Sequence, residues 1–210
     1  MATYTTVAIA NKALVLCGAS PITALTDDTP NARALNDIYD IARNSILTES
    51  RWTFSLTRST LVTNSTTGLI PWFHDFEGEA HVYNRPGSSG SCLRVWEMSV
   101  SNAIWREEGQ YIISDTSGLE AKWTFDHNTP SEWLPKFVAA FIDKLCSDIA
   151  FMILNDARKA QAFLEKYEKI SLPAAISENS QTGRHQVPID DAWTHSKYGN
   201  SGGDPSRSYG

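Results

Sequence analysis

The repeat of apolar residues along this chain changes character three times, and that change restricts the fold more than any other feature. Apolar positions recur at helical spacing over residues 4–50, alternate every second residue over much of 52–126, return to helical spacing from about 131, and lose all period after about 177. A helical repeat cannot present one face as a strand, nor the reverse. The expected fold is therefore α+β, mainly a bundle of about four helices. A small antiparallel β insertion would lie between helices 2 and 3, and an extended arm would close the chain. In residue terms, 1–177 forms the core, with the insertion at about 52–126, and 178–210 forms the arm.

The first helix is expected from Tyr4, Val7, Ala8, Leu14 and Val15, with Gly18 and Pro21 ending it. Thr29-Pro30 then offers an N-cap hydroxyl followed by a proline suited to the first helical position. Leu35, Ile38, Tyr39, Ala42 and Ile46 follow as one stripe, opposite a polar face of Asn36, Asp37, Asp40, Arg43 and Asn44. Trp52, Phe54 and Leu56 open the period-two region, and Ala121, Trp123 and Phe125 close it. Shorter strands are expected at 80–84, 92–98 and 110–114. Phe137, Val138, Phe141, Ile142, Leu145, Ile149, Met152 and Ile153 form a stripe wide enough for the centre of a helical core. Asn155-Asp156 marks a break, after which Ala160, Phe163, Leu164, Tyr167 and Ile170 carry the pattern up to Pro173.

Five of the twelve glycines fall between Gly183 and Gly210, so this stretch cannot build a core of its own. Val187, Pro188, Ile189, Trp193 and Tyr198 punctuate it as isolated anchors. Such a terminus is expected to become ordered on a partner or a neighbouring subunit.

Charge narrows the function. Eighteen Lys+Arg against twenty-four Asp+Glu leave a net charge of -6, which disfavours a protein that grips DNA through its phosphates. The N-terminus shows no basic region followed by an apolar run, and the longest strictly apolar stretch is Phe137 to Ile142. Neither a secretion signal nor a membrane span is expected. Cys17, Cys92 and Cys146 are an odd, dispersed set, best read as buried thiols in a reducing compartment. His74, His81, His127, His185 and His195 lack metal-ligand spacing, so neither a metal nor any other cofactor is expected. Gly199-Asn200-Ser201-Gly202-Gly203 matches a nucleophile-elbow pattern, but without the strand and helix that would hold the serine rigid. Glu107 and Glu108 would point to opposite faces of a strand and cannot flank one bond. Six of the seven tryptophans fall between residues 52 and 133. Trp52 and Trp123 read as core. Trp72 and Phe73, in a loop-like stretch, are the candidates for a surface that meets another protein.

Asn11-Lys12-Ala13-Leu14, then Leu16, Gly18, Pro21, Leu25, Asp28 and Asn31-Ala32, and finally Arg51-Trp52-Thr53-Phe54 form an ordered series. This series resembles the adaptor (head-to-tail connector) proteins of tailed bacteriophages, the group that includes tail tubular protein A and the tail accessory factor of short-tailed phages. The resemblance implies a non-enzymatic virion protein that forms a twelvefold homo-oligomeric ring between the portal protein and the next tail component, a nozzle or tail tube. It also implies a C-terminal segment that enters portal clefts, for which Val187, Ile189, Trp193 and Tyr198 are the candidate contacts. Double-stranded DNA would pass through such a ring without specific binding, and Asp37 and Asp40 are the candidate lumen-facing acids. The competing reading is a carbohydrate-binding or cell-wall-degrading tail protein built on the Trp-rich insertion.

Overall fold

A computed structural model describes residues 4–64, 80–87 and 91–182. Its first helix, α1 (Thr6–Cys17), is capped by the Thr5 hydroxyl, which accepts from the Ala8 amide at 3.1 Å. It ends at Gly18, whose φ of 83° lets its amide and that of Ala19 fold back onto Val15 and Leu14 carbonyls. Helix α2 (Pro30–Glu49) starts as its sequence demands, with Thr29 accepting from the Ala32 amide and Pro30 at the first position. Leu35, Tyr39, Ala42 and Ile46 of its stripe are buried.

The α1 stripe faces otherwise than expected. Ile9, Ala10, Ala13, Leu14 and Cys17 are buried, whereas Ala8 is exposed and Val15 is 58% exposed. This helix is apolar almost all round, so its spacing fits more than one stripe, and packing against a neighbouring helix selects the buried one.

Among the described residues six strands follow: β1 (Leu56–Thr60), β2 (His81–Asn84), β3 (Cys92–Met98), β4 (Trp105–Glu108), β5 (Tyr111–Ser114) and β6 (Glu120–Phe125). They form two antiparallel three-stranded sheets, ordered β1-β6-β3 and β2-β5-β4. Trp52 and Phe54 are not on β1. A turn spans 53–55, and both rings belong to the helical core, with Trp52 fully buried. Strand β4 has no counterpart among the expected strands, because Trp-Arg-Glu-Glu does not alternate. It is held by β5 across a tight turn at Gly109, where φ is 61°.

Helix α3 (Pro135–Met152) runs through the helical core and packs against both α1 and α2. Tyr39 meets Phe141 edge-on at 5.1 Å, and Trp52 and Trp133 meet Phe137 at 4.8 and 5.3 Å. Helix α4 (Ala157–Lys166) is capped by Asp156, a π-helical turn covers Tyr167–Ser171, and α5 (Leu172–Thr182) continues without a break.

The helix was expected to stop at Pro173, and it does not. Proline lacks an amide hydrogen, and its ring crowds the carbonyl four residues back. The π turn removes that conflict: the Leu172 amide bonds the Tyr167 carbonyl five residues away, widening the turn just ahead of the proline. Buried Asp143 of α3 braces the widened turn, accepting from Lys166 at 2.8 Å and from the Ser171 hydroxyl.

Two main hydrophobic clusters result. One is helical, built on α1, α2 and α3 and joined by Trp52, Trp133, Tyr167 and Ala175. The other lies in the sheets, around Tyr83, Val95, Ile112, Leu119 and Trp123. Arg43 of α2 bridges toward the sheets, donating from Nε and Nη2 to both carboxylate oxygens of Asp126, each at 2.8 Å. Among the described residues no helix is long and apolar enough to cross a membrane.

Candidate functional site

The N-terminal series that carries the family resemblance makes a set of interlocks. Asn11 clamps the Ile22 backbone at both ends, donating to its carbonyl and accepting from its amide, each at 2.8 Å. Asn31 donates to the Ser20 carbonyl at 2.9 Å. Asp27 accepts from the Thr23 and Ala24 amides and the Thr23 hydroxyl, and those donors hold its carboxyl below the usual range. Between them these bonds fix the loop from α1 to α2. At the other end, the Trp52 indole donates to the Ile46 carbonyl at 2.8 Å. Buried Asn179 of α5 accepts from the Thr53 amide at 2.8 Å and donates to the Arg51 carbonyl at 2.9 Å. Residues 178–182, assigned to the arm on composition, are thus the last turns of a helix. Asn179 binds the backbone of Arg51 and Thr53, and the Thr182 hydroxyl meets that of Thr53 at 3.2 Å.

The same framework leaves one face open. Ile38, Ile41 and Ser45 of α2, Ser147, Asp148, Phe151 and Met152 of α3, and Ala157, Ala160 and Leu164 of α4 line a groove of about 610 Å³. Ile41 is 71% exposed, Phe151 64% and Met152 51%. Met152 reads as core from its spacing, but the last turn of α3 runs past the neighbours that bury Ile149. Asp148 sits on the groove wall. Burial raises its carboxyl pKa, and Lys144, 3.7 Å away, partly offsets that rise.

Of the residues singled out from sequence, Asp37 and Asp40 are both exposed on α2, and Asp40 pairs with Arg43 at 2.6 Å. Trp72 and Phe73, and Val187, Ile189, Trp193 and Tyr198, lie outside the described residues, as do His195 and the Gly199–Gly203 segment. Glu107 and Glu108 lie on β4, where Glu107 pairs with Arg85 and Glu108 with Arg106. Trp52, Trp123 and Trp133 are buried. The Trp96 ring is covered by Arg94 at 4.1 Å and flanked by Arg51 at 5.4 Å, while its indole donates to Thr124. None of these four rings offers an open platform to a sugar.

The three cysteines are free and buried, with the Cys17 thiol donating to the Cys146 carbonyl and the Cys146 thiol to that of Ala13. Burial pushes both thiols up, away from reactive thiolates. No cluster of potential metal ligands occurs among the described residues. The groove escaped the sequence reading because Ile41 falls off the α2 stripe and Phe151 off that of α3. Two off-stripe apolar residues on facing helices were the available signal.

Comparison with protein-family models and with curated proteins gave no match to this chain.

Proposed function

We propose that this protein is a structural component of a phage virion, a head-to-tail adaptor. In this reading it is a bundle carrying a β insertion between α2 and α3. Copies form a ring, twelvefold by analogy, that joins the portal to the next tail component and lets DNA pass. The ring belongs to the neck of the virion and is assembled in the bacterial host cytoplasm. The chain has no catalytic role in this reading; its work is to hold geometry.

The observation that carries the reading is the open apolar groove. A soluble chain seldom leaves a phenylalanine, a methionine and an isoleucine together in water unless something covers them. An assembly subunit has such a cover. The resemblance of the N-terminal series supplies the kind of assembly, and the interlocks made by its residues explain why that series has the order it has. The anchors Val187, Ile189, Trp193 and Tyr198 then suit a docking role on the portal. Many weak single contacts would add through multivalency.

The test is an image of the protein mixed with its cognate portal. The expected result is a rotationally symmetric ring seated beneath the portal, with Trp193→Ala weakening attachment while the free chain stays folded. Attachment unaltered by both Trp193→Ala and deletion of residues 184–210 would refute the docking role.

A further inference from the structure

Cys17 closes α1 and Cys146 lies inside α3, 129 positions along the chain. Small side chains let the two helices approach here: Ala10, Ala13 and Cys17 repeat on one side of α1, and all three are buried. Each sulfur therefore reaches the backbone of the other helix. Cys17 Sγ donates to the Cys146 carbonyl at 3.4 Å, and Cys146 Sγ to the Ala13 carbonyl at 3.5 Å. Each thiol also lies within hydrogen-bond reach of the other. A disulfide needs Cα atoms about 4.4–6.8 Å apart with the side chains turned toward one another. Helices close enough to put sulfur on the opposing carbonyl meet that need. Cys92 stands elsewhere, in the sheet cluster beside Arg85.

The two sulfurs differ in their surroundings. Burial pushes both thiols up. At Cys17 the hydrogen bond with Cys146 and the charge of Lys159, whose Nζ donates to the Cys17 carbonyl at 3.1 Å, pull in the other direction. At Cys146 the neighbouring Cys17 and Asp143 add to the rise, against a smaller pull from Lys166. Cys17 is thus the sulfur that ionises first. It is also the last residue of its helix, and helix ends open at lower cost than helix centres.

We infer that Cys17 and Cys146 are a dithiol that a peroxide converts into a disulfide fastening α1 to α3. The Cys17 thiolate attacks one oxygen of hydrogen peroxide. An S–O bond forms, the O–O bond breaks, and the departing hydroxide leaves as water with the thiol proton. The Cys146 sulfur then attacks that sulfenic sulfur. The S–S bond forms, the S–O bond breaks, and a second water leaves with the Cys146 proton. Two thiols lose two electrons, and one peroxide becomes two waters. Both sulfurs are shielded, at 1% and 0% exposure, so the first step waits on opening of the last turn of α1. In a compartment kept reducing by small thiols the pair stays reduced. A virion part would gain the bond after leaving its host, a use that rests on the proposed function; the bond itself does not.

The experiment treats the full chain with an equimolar amount of hydrogen peroxide, blocks remaining thiols with iodoacetamide in denaturant, and maps peptides by mass spectrometry without reductant. The expected map shows a Cys17–Cys146 cross-link, lighter than the reduced pair by two hydrogens, with Cys92 alkylated. Dithiothreitol should reverse the link, and the oxidised chain should unfold about 5–15 °C above the reduced one. Cys92→Ala should form the same link, whereas Cys17→Ala should form none and lose the oxidation-dependent rise in Tm. The map of the parent chain decides the matter even where a variant folds poorly. Cys17 and Cys146 both alkylated, under conditions that oxidise free cysteine in the same tube, would overturn the inference. So would a link through Cys92, or a Cys17–Cys146 link that lowers Tm. None of these readouts requires a ring, so failure of the adaptor reading leaves them unchanged.

Discussion

Asn179 is the most informative single residue to change, because its amide ties the last helix to the Arg51–Thr53 backbone. Its oxygen accepts the Thr53 amide hydrogen at 2.8 Å and its nitrogen donates to the Arg51 carbonyl at 2.9 Å, while the residue is 7% exposed. Replacement by alanine removes two hydrogen bonds, each worth about 1 kcal/mol net. It also leaves a backbone donor and an acceptor without partners beside the fully buried Trp52. Arg51 and Thr53 are themselves exposed, so water can reach part of what is lost. We therefore expect Asn179→Ala to cost about 2–3 kcal/mol in urea unfolding, a fall in Tm of roughly 5–10 °C for a domain of this length. Asn179→Asp should fall between, since a carboxylate still accepts from Thr53 but repels the Arg51 carbonyl. The exposed change Ser177→Ala on the same helix should alter stability by less than about 0.5 kcal/mol in the same assay, the range of surface substitutions. An Asn179→Ala cost no larger than that of Ser177→Ala would refute the role given to its two bonds. Residue 179 would then be a bystander at the end of a frayed helix.

Three further outcomes are expected. Arg43→Met should cost about 2–3 kcal/mol, because it strands Asp126 beside the helical core, and the cost should shrink in the double variant with Asp126→Leu. A double-mutant cycle by chemical denaturation reads the coupling. Asp148 titrates above the ordinary carboxylate value of 3.8 in the folded chain because burial disfavours its charge. The folded state therefore binds that proton more tightly than the unfolded state, and the group adds stability as pH falls through its raised folded value toward 3.8. Subtracting the pH profile of Asp148→Asn from that of the parent should show this rise. A flat difference curve would contradict it. Gly87 has a φ of 83°, and a β-carbon there would overlap the Ser91 hydroxyl and touch the Trp123 ring at 3.0 Å. Gly87→Ala should cost about 1–3 kcal/mol and perturb Trp123 fluorescence.

What could be read from the sequence was whatever local chemistry decides. Thr29-Pro30 starts α2 where a hydroxyl cap and a proline must start a helix, and Gly18 ends α1 where only a left-handed residue suits. Ala121, Trp123 and Phe125 alternate with polar residues, and Glu120–Phe125 is a strand; Cys92–Met98 and Tyr111–Ser114 are short, mostly apolar runs, and both are strands at or close to the expected positions. The misses share one cause, which is that the decisive partner is distant in the chain. Strand β4 exists because β5 pairs with it, and nothing in Trp-Arg-Glu-Glu announces that. The buried side of α1 is selected by α3. Pro173 lies inside a helix because Asp143, some thirty residues earlier, braces a widened turn ahead of it. The groove is the same case, since Ile41 and Phe151 look like strays until α2 and α3 are side by side.

The π turn at Tyr167–Ser171 has a geometric consequence for anything the long helix does. From Ala157 to Thr182 the helix is a rod of roughly 39 Å at about 1.5 Å per residue. One extra residue in its middle advances the following side chains by about 100° around the axis, given 3.6 residues per turn. The apolar residues of α4 and those of α5 are thereby turned to different compass points of one rod. Both halves of that rod pack against α3, so the widened turn decides which side chains each half can offer to the same neighbour. A single bulged turn thus acts as a protractor within the fold: shift it, and the second half of the helix would bring a different set of side chains to the core.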